Sequence, residues 1–250
     1  MGITWIVEKG NTLWKIGVFE NGEIVSKVSF EEFSTDSIPQ DSPEEIMLSG
    51  SGVWSEEQEA SLYDLCNGNL FVFRHGDGHP LVTQAYNPES LGTDRVANSY
   101  AVQQGIDDYM KVNPAWLVVD VGTCVTADLI VEGVHLGGSI SPGIQSRLNI
   151  MNSETHALPH LEFNFDSEPI QGDTRGLSTE DALEKGAAGG VVNEIVGRWT
   201  SLQQEFPTIG IILTGGSSSN LELGPVTPKF ADSNLTLKGY YALLQSIKSV

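Results

Sequence analysis

The sequence is poor in basic residues, since its 250 residues include 13 lysines and arginines against 33 aspartates and glutamates. The resulting formal net charge of -20 opposes binding to nucleic-acid phosphates and to anionic lipid surfaces. We therefore expect no nucleic-acid partner and no membrane partner. The same charge repels anionic ligands, so any phosphate site must supply backbone amides or a metal ion as local compensation.

Cysteines and long apolar runs are also scarce. The two cysteines, Cys66 and Cys124, are too few to form a disulfide framework in a chain of this length, which favours a reducing compartment. No apolar run approaches the roughly 18 residues of a membrane span, and residues 1–9 lack the pattern of a signal peptide. These absences predict a cytoplasmic protein.

Short apolar runs separated by polar segments predict an α/β fold. Asn21-Gly22 lies between two such runs and predicts a tight hairpin, because both residues tolerate a positive φ. The predicted strands are 3–7, 13–19, 24–30, 46–48, 70–73, 81–85, 116–121, 125–131 and 209–213. The predicted helices are about 55–66, 96 to near Pro114, 144–152, 183–199 and 240–247. Loops are predicted at Gly137-Gly138 and Ser141-Pro142-Gly143.

A strand, a turn with glycine and threonine, and a second strand occur twice in the sequence. The turns are Gly10-Asn11-Thr12 and Asp120-Val121-Gly122-Thr123, and Thr214-Gly215-Gly216 follows a further predicted strand. Such turns can direct several amides into one concavity, and glycine permits close approach of phosphate oxygens. One such turn alone is more simply an ordinary hairpin, but the repetition favours phosphate binding.

These turns resemble those of the actin-like ATPase and sugar kinase superfamily, and the chain is similar in particular to the type III pantothenate kinase family. The family's first phosphate motif is matched by Glu8-Lys9-Gly10-Asn11-Thr12, its substrate motif by Gly92-Thr93-Asp94-Arg95, and its second phosphate motif by Asp120–Thr123. Further agreement, in the same order along the chain, is found at Tyr86, Pro88, Gly137-Gly138, Pro142-Gly143, Ser178-Thr179 and Thr214-Gly215-Gly216.

The resemblance implies two duplicated, ribonuclease H-like lobes with an ATP cleft between them. We expect the lobes to span 1–115 and 116–250, with the last helix able to pack back on the first lobe. The implied reaction is ATP-dependent phosphorylation of pantothenate to 4'-phosphopantothenate, the first step of coenzyme A biosynthesis. Magnesium, a monovalent cation such as potassium or ammonium, and a homodimer are also implied.

The resemblance also assigns roles to single residues. Asp94 is the candidate catalytic base, Asp120 the candidate monovalent-cation ligand and Glu8 a candidate magnesium ligand. Candidate ATP-binding residues are Glu8, Gly10, Asn11, Thr12, Lys15, Thr123 and Gly215. Candidate substrate-binding residues are Tyr86, Gly92, Thr93, Asp94, Arg95 and Thr179. Chemistry supports two of these roles, since a carboxylate beside Arg95 stays ionised and a guanidinium can grip the pantothenate carboxylate.

Simpler interpretations stay open for these residues. Asp94 could only cap a helix, Arg95 could form a surface ion pair, and Asp120 could only shape a turn. Tyr86 and Thr179, without the resemblance, are more simply core and cap residues. The alternation His75-x-Asp77-x-His79 is a weaker candidate for a metal site, against an ordinary solvated loop.

The first phosphate motif departs from the family pattern at two positions. Glu8 replaces the aspartate of the family, and Lys9 replaces a small or apolar residue. The extra methylene displaces the carboxylate, and displacement of about 1 Å can reduce a rate about a hundredfold. Two alternative functions follow. One is a catalytically impaired nucleotide-binding regulator, of the accessory transcription factor type, and the other is a kinase of another small alcohol such as a sugar.

Overall fold

The computed structural model describes residues 2–34, 37–85, 87–165, 169–173 and 175–249. The chain forms two compact units. The first unit comprises Met1–Ile106 and Asn234–Val250, and the second comprises Asp107–Ser233. Each unit contains one five-stranded sheet with its own helices.

The sheet of the first unit has the strand order β3-β2-β1-β4-β5. Strand β1 pairs antiparallel with β2 and parallel with β4. The strands are β1 (Ile3–Lys9), β2 (Trp14–Glu20), β3 (Glu23–Phe30), β4 (Glu45–Ser49) and β5 (Leu70–Val72). The helices of this unit are α1 (Glu56–Leu65), α2 (Thr93–Gln104) and α7 (Leu235–Lys248).

Local sequence signals explain the boundaries of these elements. The predicted hairpin is confirmed, with Asn21 at φ 52° and Gly22 at φ 90° between β2 and β3. Helix α1 begins at a capping box in which Ser55 and Gln58 satisfy each other's backbone amides. Helix α2 ends at Gly105, whose φ of 58° is left-handed and stops the helical hydrogen bonding.

The central strands β1 and β4 of the first sheet are buried on both faces, and their alternating side chains contribute to two core clusters. Ile6 and Met47 belong to one core cluster with Tyr240 and other apolar residues of α2 and α7. The side chains on the opposite face form a second cluster, in which Trp5 packs with Leu62 of α1 and with apolar residues of the neighbouring strands. The ends of the central strands are therefore held from both sides.

The sheet of the second unit has the order β10-β9-β6-β7-β8. Its strands are β6 (Ala115–Val121), β7 (Cys124–Val131), β8 (Val134–Pro142), β9 (Gly210–Thr214) and β10 (Lys229–Ala231). Its helices are α3 (Asp108–Lys111), α4 (Ile144–Ser153), α5 (Thr179–Glu184) and α6 (Gly190–Leu202), and a π-helical turn, Lys185–Gly189, joins α5 to α6. Strand β6 pairs antiparallel with β7 and parallel with β9.

The two sheets therefore repeat one arrangement, in which a strand pairs antiparallel with the next strand and parallel with a later one. This confirms the predicted α/β fold of two similar lobes. Both cysteines are free, as expected. No helix within the described ranges is long and apolar enough to cross a bilayer.

Four predicted elements were wrong. The run 81–85 is not a strand; only Thr83 forms a bridge, and Leu81 is instead buried in the core. The predicted helix from 96 towards Pro114 is two helices, because Gly105 ends α2 before α3 begins. The predicted loops at Gly137-Gly138 and Ser141-Pro142 belong to strand β8, where glycine accommodates a φ of 115° at Gly137.

The boundary of the compact units differs from the expected lobe boundary by a short segment. The first unit ends at Ile106, not at residue 115. Residues before β6 pack with the second unit, because the Trp116 indole donates to the Met110 carbonyl at 3.0 Å. Tyr109 also stacks on Phe230, with ring centroids 4.4 Å apart. The last helix, α7, clusters with the first unit.

Candidate functional site

The first predicted phosphate turn directly follows β1, and an ion pair lies beside it. The amide of Gly10 donates to the Leu13 carbonyl at 2.8 Å and closes the turn. Glu8 and Lys15 are opposite each other in the β1–β2 register, and their Oε2 and Nζ atoms are 3.1 Å apart. The Glu8 side chain is only 8% exposed, whereas Asn11 and Thr12 are exposed at the tip of the turn.

Two glycines after β4 support this turn from behind. Gly52 donates its amide to the Lys9 carbonyl at 2.8 Å. A Cβ atom on Gly52 would lie 2.2 Å from the Gly10 carbonyl oxygen, and one on Gly50 would lie 2.1 Å from that of Lys9. These residues were not among the predicted site residues, although alternating glycines in Ser49-Gly50-Ser51-Gly52, after a buried strand, are a local signal of close backbone approach.

Lys9, the second departure from the family pattern, packs beside the turn on an aromatic ring. Its ammonium nitrogen lies 5.4 Å from the centroid of the Trp14 ring, within the range of a cation–π contact. The lysine stem also packs against Gly52, where an added Cβ would lie 2.8 Å from the Lys9 Cγ. Lys9 thus adds positive charge near the turn while its stem is held in place.

The predicted substrate motif forms the start of α2. Gly92 is the N-cap residue, and Thr93 is the first helical residue. The Asp94 carboxylate accepts from the amide of Arg95 at 2.8 Å, so it faces the helix N-terminus, where negative charge is stabilised. Asp94 and Arg95 are half-buried, whereas Thr93 is 2% exposed. The side chain of Thr93 bonds inward to the Tyr240 phenol, at 3.0 Å.

Two histidines hold the segment that precedes this motif. The Nε2 atom of His75 lies 3.2 Å from the Ser90 carbonyl, and that of His79 lies 2.9 Å from the Pro88 carbonyl. A carbonyl oxygen only accepts, so each imidazole donates from Nε2. Asp77 accepts from the Arg74 amide. The described residues contain no cluster of metal-ligating side chains, so the alternative of a metal site here finds no support.

The remaining residues predicted for the substrate lie apart from α2 in the chain. Tyr86 lies outside the described residues. Thr179 is exposed at the first position of α5 in the second unit. Ser178 caps this short helix, and its hydroxyl accepts from the Asp181 amide at 3.1 Å.

The second predicted phosphate turn joins β6 to β7. The amide of Gly122 donates to the Cys124 carbonyl at 2.9 Å, and Gly122 and Thr123 are exposed. The Thr123 carbonyl accepts from the Gly143 amide at 2.9 Å and from the Ser146 hydroxyl at 2.7 Å. The start of α4 therefore holds the turn by its backbone and leaves the outer face of the turn open.

Asp120, at the end of β6, lies against Gly215, which follows β9. Asp120 is opposite Thr214 in the parallel register. A Cβ on Gly215 would lie 2.4 Å from Asp120 Oδ1 and 2.5 Å from the Val121 carbonyl oxygen, and Gly215 has a φ of +92°. Only glycine allows the two strand ends to approach so closely.

A charged network behind the second turn connects β8, α4 and α6. Ser141 donates to Glu194 Oε1 at 2.7 Å, Arg198 donates to the same atom at 2.8 Å, and Arg147 pairs with Oε2. Arg147 also donates to the Pro142 carbonyl at 2.8 Å. Burial raises the pKa of Glu194, but these hydrogen bonds outweigh burial, and the net pKa is lowered.

The fold and these two turns define the class of the protein. The chain superimposes on a conserved Campylobacter jejuni protein assigned to the Baf family of transcriptional activators, with a TM-score of 0.58, 20% identity, and coverage of 98% of this chain and 100% of that one. A Sinorhizobium meliloti protein assigned as a 2-dehydro-3-deoxygalactonokinase gives a TM-score of 0.55 at 12% identity, covering 99% and 100%. The chain therefore has the fold of these two structures, as expected from the resemblance to the actin-like ATPase and sugar kinase superfamily.

Sequence comparison identifies the family within this class. The family model for type III pantothenate kinase matches residues 5–201. A type III pantothenate kinase of Phocaeicola vulgatus is 30% identical, covering 96% of each chain, and one of Flavobacterium johnsoniae is 32% identical, covering 93% of each. This chain belongs to the type III pantothenate kinase family, which confirms the resemblance seen in the motifs.

Proposed function

We propose that this protein transfers the γ-phosphoryl group of ATP to pantothenate and forms 4'-phosphopantothenate, the first step of coenzyme A biosynthesis. The observation that carries the proposal is the Gly92-Thr93-Asp94-Arg95 segment, which begins a well-formed helix in a chain of this family. At the start of this helix the side chains of Asp94 and Arg95 are half-buried. Such partial exposure suits side chains that contact a small ligand.

In the proposed reaction Asp94 accepts the proton of the primary hydroxyl of pantothenate as that oxygen attacks the γ-phosphorus. A new oxygen–phosphorus bond forms while the bond to the β-phosphate oxygen breaks, and ADP leaves. A carboxylate held at a helix N-terminus stays ionised, so it acts by alignment as well as by basicity. Arg95 would grip the pantothenate carboxylate with its planar fork, and Tyr86, Gly92, Thr93 and Thr179 complete the proposed substrate contacts.

The donor groups of both turns suit ATP with a metal ion. We propose nucleotide contacts from Glu8, Gly10, Asn11, Thr12, Lys15, Thr123 and Gly215. Carboxylate oxygens are preferred ligands of magnesium, and turn amides and threonine hydroxyls are suited to phosphate. Bound magnesium would neutralise phosphate charge. Glu8 would hold this ion, and Lys15 would offset the net negative charge of the chain locally.

The finer features expected from the family also form part of the proposal. Asp120 would bind a monovalent cation, potassium or ammonium, because its carboxylate ends a strand beside the second turn. The enzyme would act as a cytoplasmic homodimer. Turnover in potassium, ammonium or sodium chloride tests the cation, and light scattering tests the oligomer.

The experiment that tests the function compares wild type with Asp94→Asn. Wild type should convert ATP and pantothenate to ADP and 4'-phosphopantothenate in the presence of magnesium and potassium. Asp94→Asn should lower turnover by about 10²- to 10⁴-fold, the usual contribution of a positioned base. Asp108→Asn is the control, because the Asp108 side chain is fully exposed and pairs only locally with Lys111.

Three results would contradict the proposal. The first is no turnover of pantothenate by wild type, and ATP binding without turnover would favour a regulatory nucleotide-binding protein instead. The second is turnover of a sugar but not of pantothenate, which would favour the kinase of another alcohol. The third is equal activity of wild type and Asp94→Asn, which would exclude Asp94 as the catalytic base.

A further inference from the structure

Tyr240 connects the last helix of the chain to the first residue of the proposed substrate helix. Its side chain is fully buried, at 0% exposure, and its hydroxyl donates to Thr93 Oγ1 at 3.0 Å. The two residues are 147 positions apart in the sequence, and both belong to the first unit. The phenol therefore forms a long-range link to the residue directly before Asp94.

Close backbone packing holds this link in place. A Cβ atom on Gly239 would lie 2.1 Å from the Ala97 carbonyl oxygen and 2.5 Å from its carbon. Helix α7 thus touches α2 through backbone atoms one turn away from Thr93. Tyr240 follows Gly239 directly, so the position of its ring is set by this contact and by the core around it.

The phenol also lies near both proposed functional carboxylates. Burial raises the pKa of Tyr240 above its ordinary value, and the charges of Asp94 and Glu8 raise it further, whereas hydrogen bonds with Ser49 and Thr93 act in the opposite direction. Ser49 ends β4 and is opposite Glu8 in the parallel register with β1. A tyrosine phenol is already protonated at neutral pH at its ordinary pKa of about 10, so it is a hydrogen-bond donor to Thr93 there, and the raised pKa extends this to more alkaline pH.

We propose that Tyr240 is a positioning residue for phosphoryl transfer. Its hydroxyl fixes Thr93, and through Thr93 it fixes the start of α2 and the separation between Asp94 and Glu8. The buried side chain of Thr93 then serves as the anchor of the motif, while Asp94 and Arg95 face the ligand. This inference rests on the proposed function.

A tyrosine that only completes the core would behave differently. Loss of its hydroxyl would lower stability but leave the geometry of Asp94 and the turnover number unchanged. A positioning residue affects the turnover number, because displacement of about 1 Å at a reacting group can reduce a rate about a hundredfold. The adjacent Tyr241 is the matched control, since it lies on the same helix and its ring stacks on Phe19, with centroids 4.4 Å apart.

The experiment combines Tyr240→Phe, Thr93→Val and the double variant, with Tyr241→Phe as the control. Tyr240→Phe and Thr93→Val should each lower kcat by about 10- to 100-fold with little change in KM for ATP. The double variant should lose no more activity than the more impaired single variant, because the two groups act as one unit. The Tyr241→Phe control should stay within about twofold of wild type, because a substitution away from the site changes stability by only about 0.5 kcal/mol.

Hydrogen exchange provides a readout that is independent of the substrate. The amide of Val96 donates to the Gly92 carbonyl at 3.0 Å in the first turn of α2. Its exchange should accelerate in Tyr240→Phe and Thr93→Val but not in Tyr241→Phe. If Tyr240→Phe does not fold, Thr93→Val carries the test.

The outcomes separate this inference from the proposed function. The positioning role is overturned if Tyr240→Phe keeps the wild-type kcat and the exchange rate of the Val96 amide is unchanged. It is also overturned if the loss of kcat in the double variant equals the product of the losses in the two single variants. If wild type does not turn over pantothenate, the proposed function fails. In that case the exchange rate of the Val96 amide still decides whether Tyr240 anchors α2. An unchanged rate in Tyr240→Phe overturns the anchoring role.

Discussion

At the scale of single residues, Glu8, which stands where the family motif has an aspartate, forms an ion pair with its cross-strand neighbour. Glu8 and Lys15 are opposite each other across β1 and β2, and the Glu8 carboxylate lies 3.1 Å from the Lys15 ammonium. The pair lies beside the first phosphate turn. Lys15 thereby supplies one positive charge beside the turn at which we propose that ATP binds.

Replacement of Glu8 by glutamine tests whether this carboxylate holds magnesium. The glutamine amide keeps the size of the side chain but removes its charge. Loss of a residue that only orients a metal ligand typically lowers metal affinity by about 10- to 100-fold, so loss of a direct ligand should lower magnesium affinity by at least this factor. Activity measured against magnesium concentration should therefore shift to higher concentrations. Glu20→Gln, at the exposed end of β2, is the control. An unchanged magnesium dependence in Glu8→Gln would rule out Glu8 as a ligand.

At the scale of elements, glycines decide how closely strand ends and helix starts approach. Gly143 shows this at α4, where a Cβ would lie 2.0 Å from the Gly122 carbonyl oxygen. Gly215 shows it at β9, beside Asp120. The second turn is thus shaped by contacts between elements as well as by its own sequence.

Adjacent glycines after β9 allow a matched comparison. Gly215→Ala would place a methyl group against Asp120 in a left-handed conformation, so it should destabilise the protein by about 1–3 kcal/mol and weaken ATP binding. Gly216→Ala should change stability by less than about 0.5 kcal/mol, since nothing lies within 4 Å of its added Cβ. Urea unfolding and calorimetric titration with ATP measure both effects. Equal effects of the two substitutions would contradict this account of the turn.

The Glu194 network makes a prediction about pH. Because the pKa of Glu194 is lowered in the folded protein, its contribution to stability is present above its ordinary value of 4.5 and is lost as pH falls through the lowered pKa. Glu194→Gln should lower the free energy of unfolding at pH 7 by about 1.5–3 kcal/mol, the range for hydrogen bonds to a charged group.

The same substitution should flatten the acid limb of the stability profile, because the glutamine does not titrate. Urea unfolding of wild type and variant between neutral and acidic pH measures both effects. Glu184→Gln, an exposed residue near the end of α5, is the control. An identical loss of stability with acid in wild type and Glu194→Gln would show that other groups govern this limb.

At the scale of the whole molecule, the net charge of -20 acts on folding. Like charges repel across a compact protein, and salt screens them over about 10 Å at 0.1 M. The thermal midpoint should therefore rise as salt increases from low ionic strength. If screening alone acts, sodium chloride and choline chloride should raise the thermal midpoint equally. A larger rise with potassium chloride would indicate binding of the proposed cation at Asp120. A midpoint that does not rise with any salt would contradict the role of self-repulsion.

Much of the fold could be predicted because local patterns specify it. The Asn21-Gly22 hairpin, the capping box of α1 and the buried runs of β1, β6 and β9 depend on backbone preference and on side-chain alternation. Strand β8 was missed because its glycines look like loop residues. Only pairing with β7 satisfies their backbone groups as a strand.

The sequence by itself determined the two turns, the order of motifs and the family, since these depend on residue identity at short spacing. It also determined the acidic surface. The tertiary structure decided which groups support the site. Gly50 and Gly52 behind the first turn, Glu194 behind the second, and the Tyr240–Thr93 bond all join distant parts of the chain. No local pattern encodes such contacts, because they exist only once sheets and helices have packed.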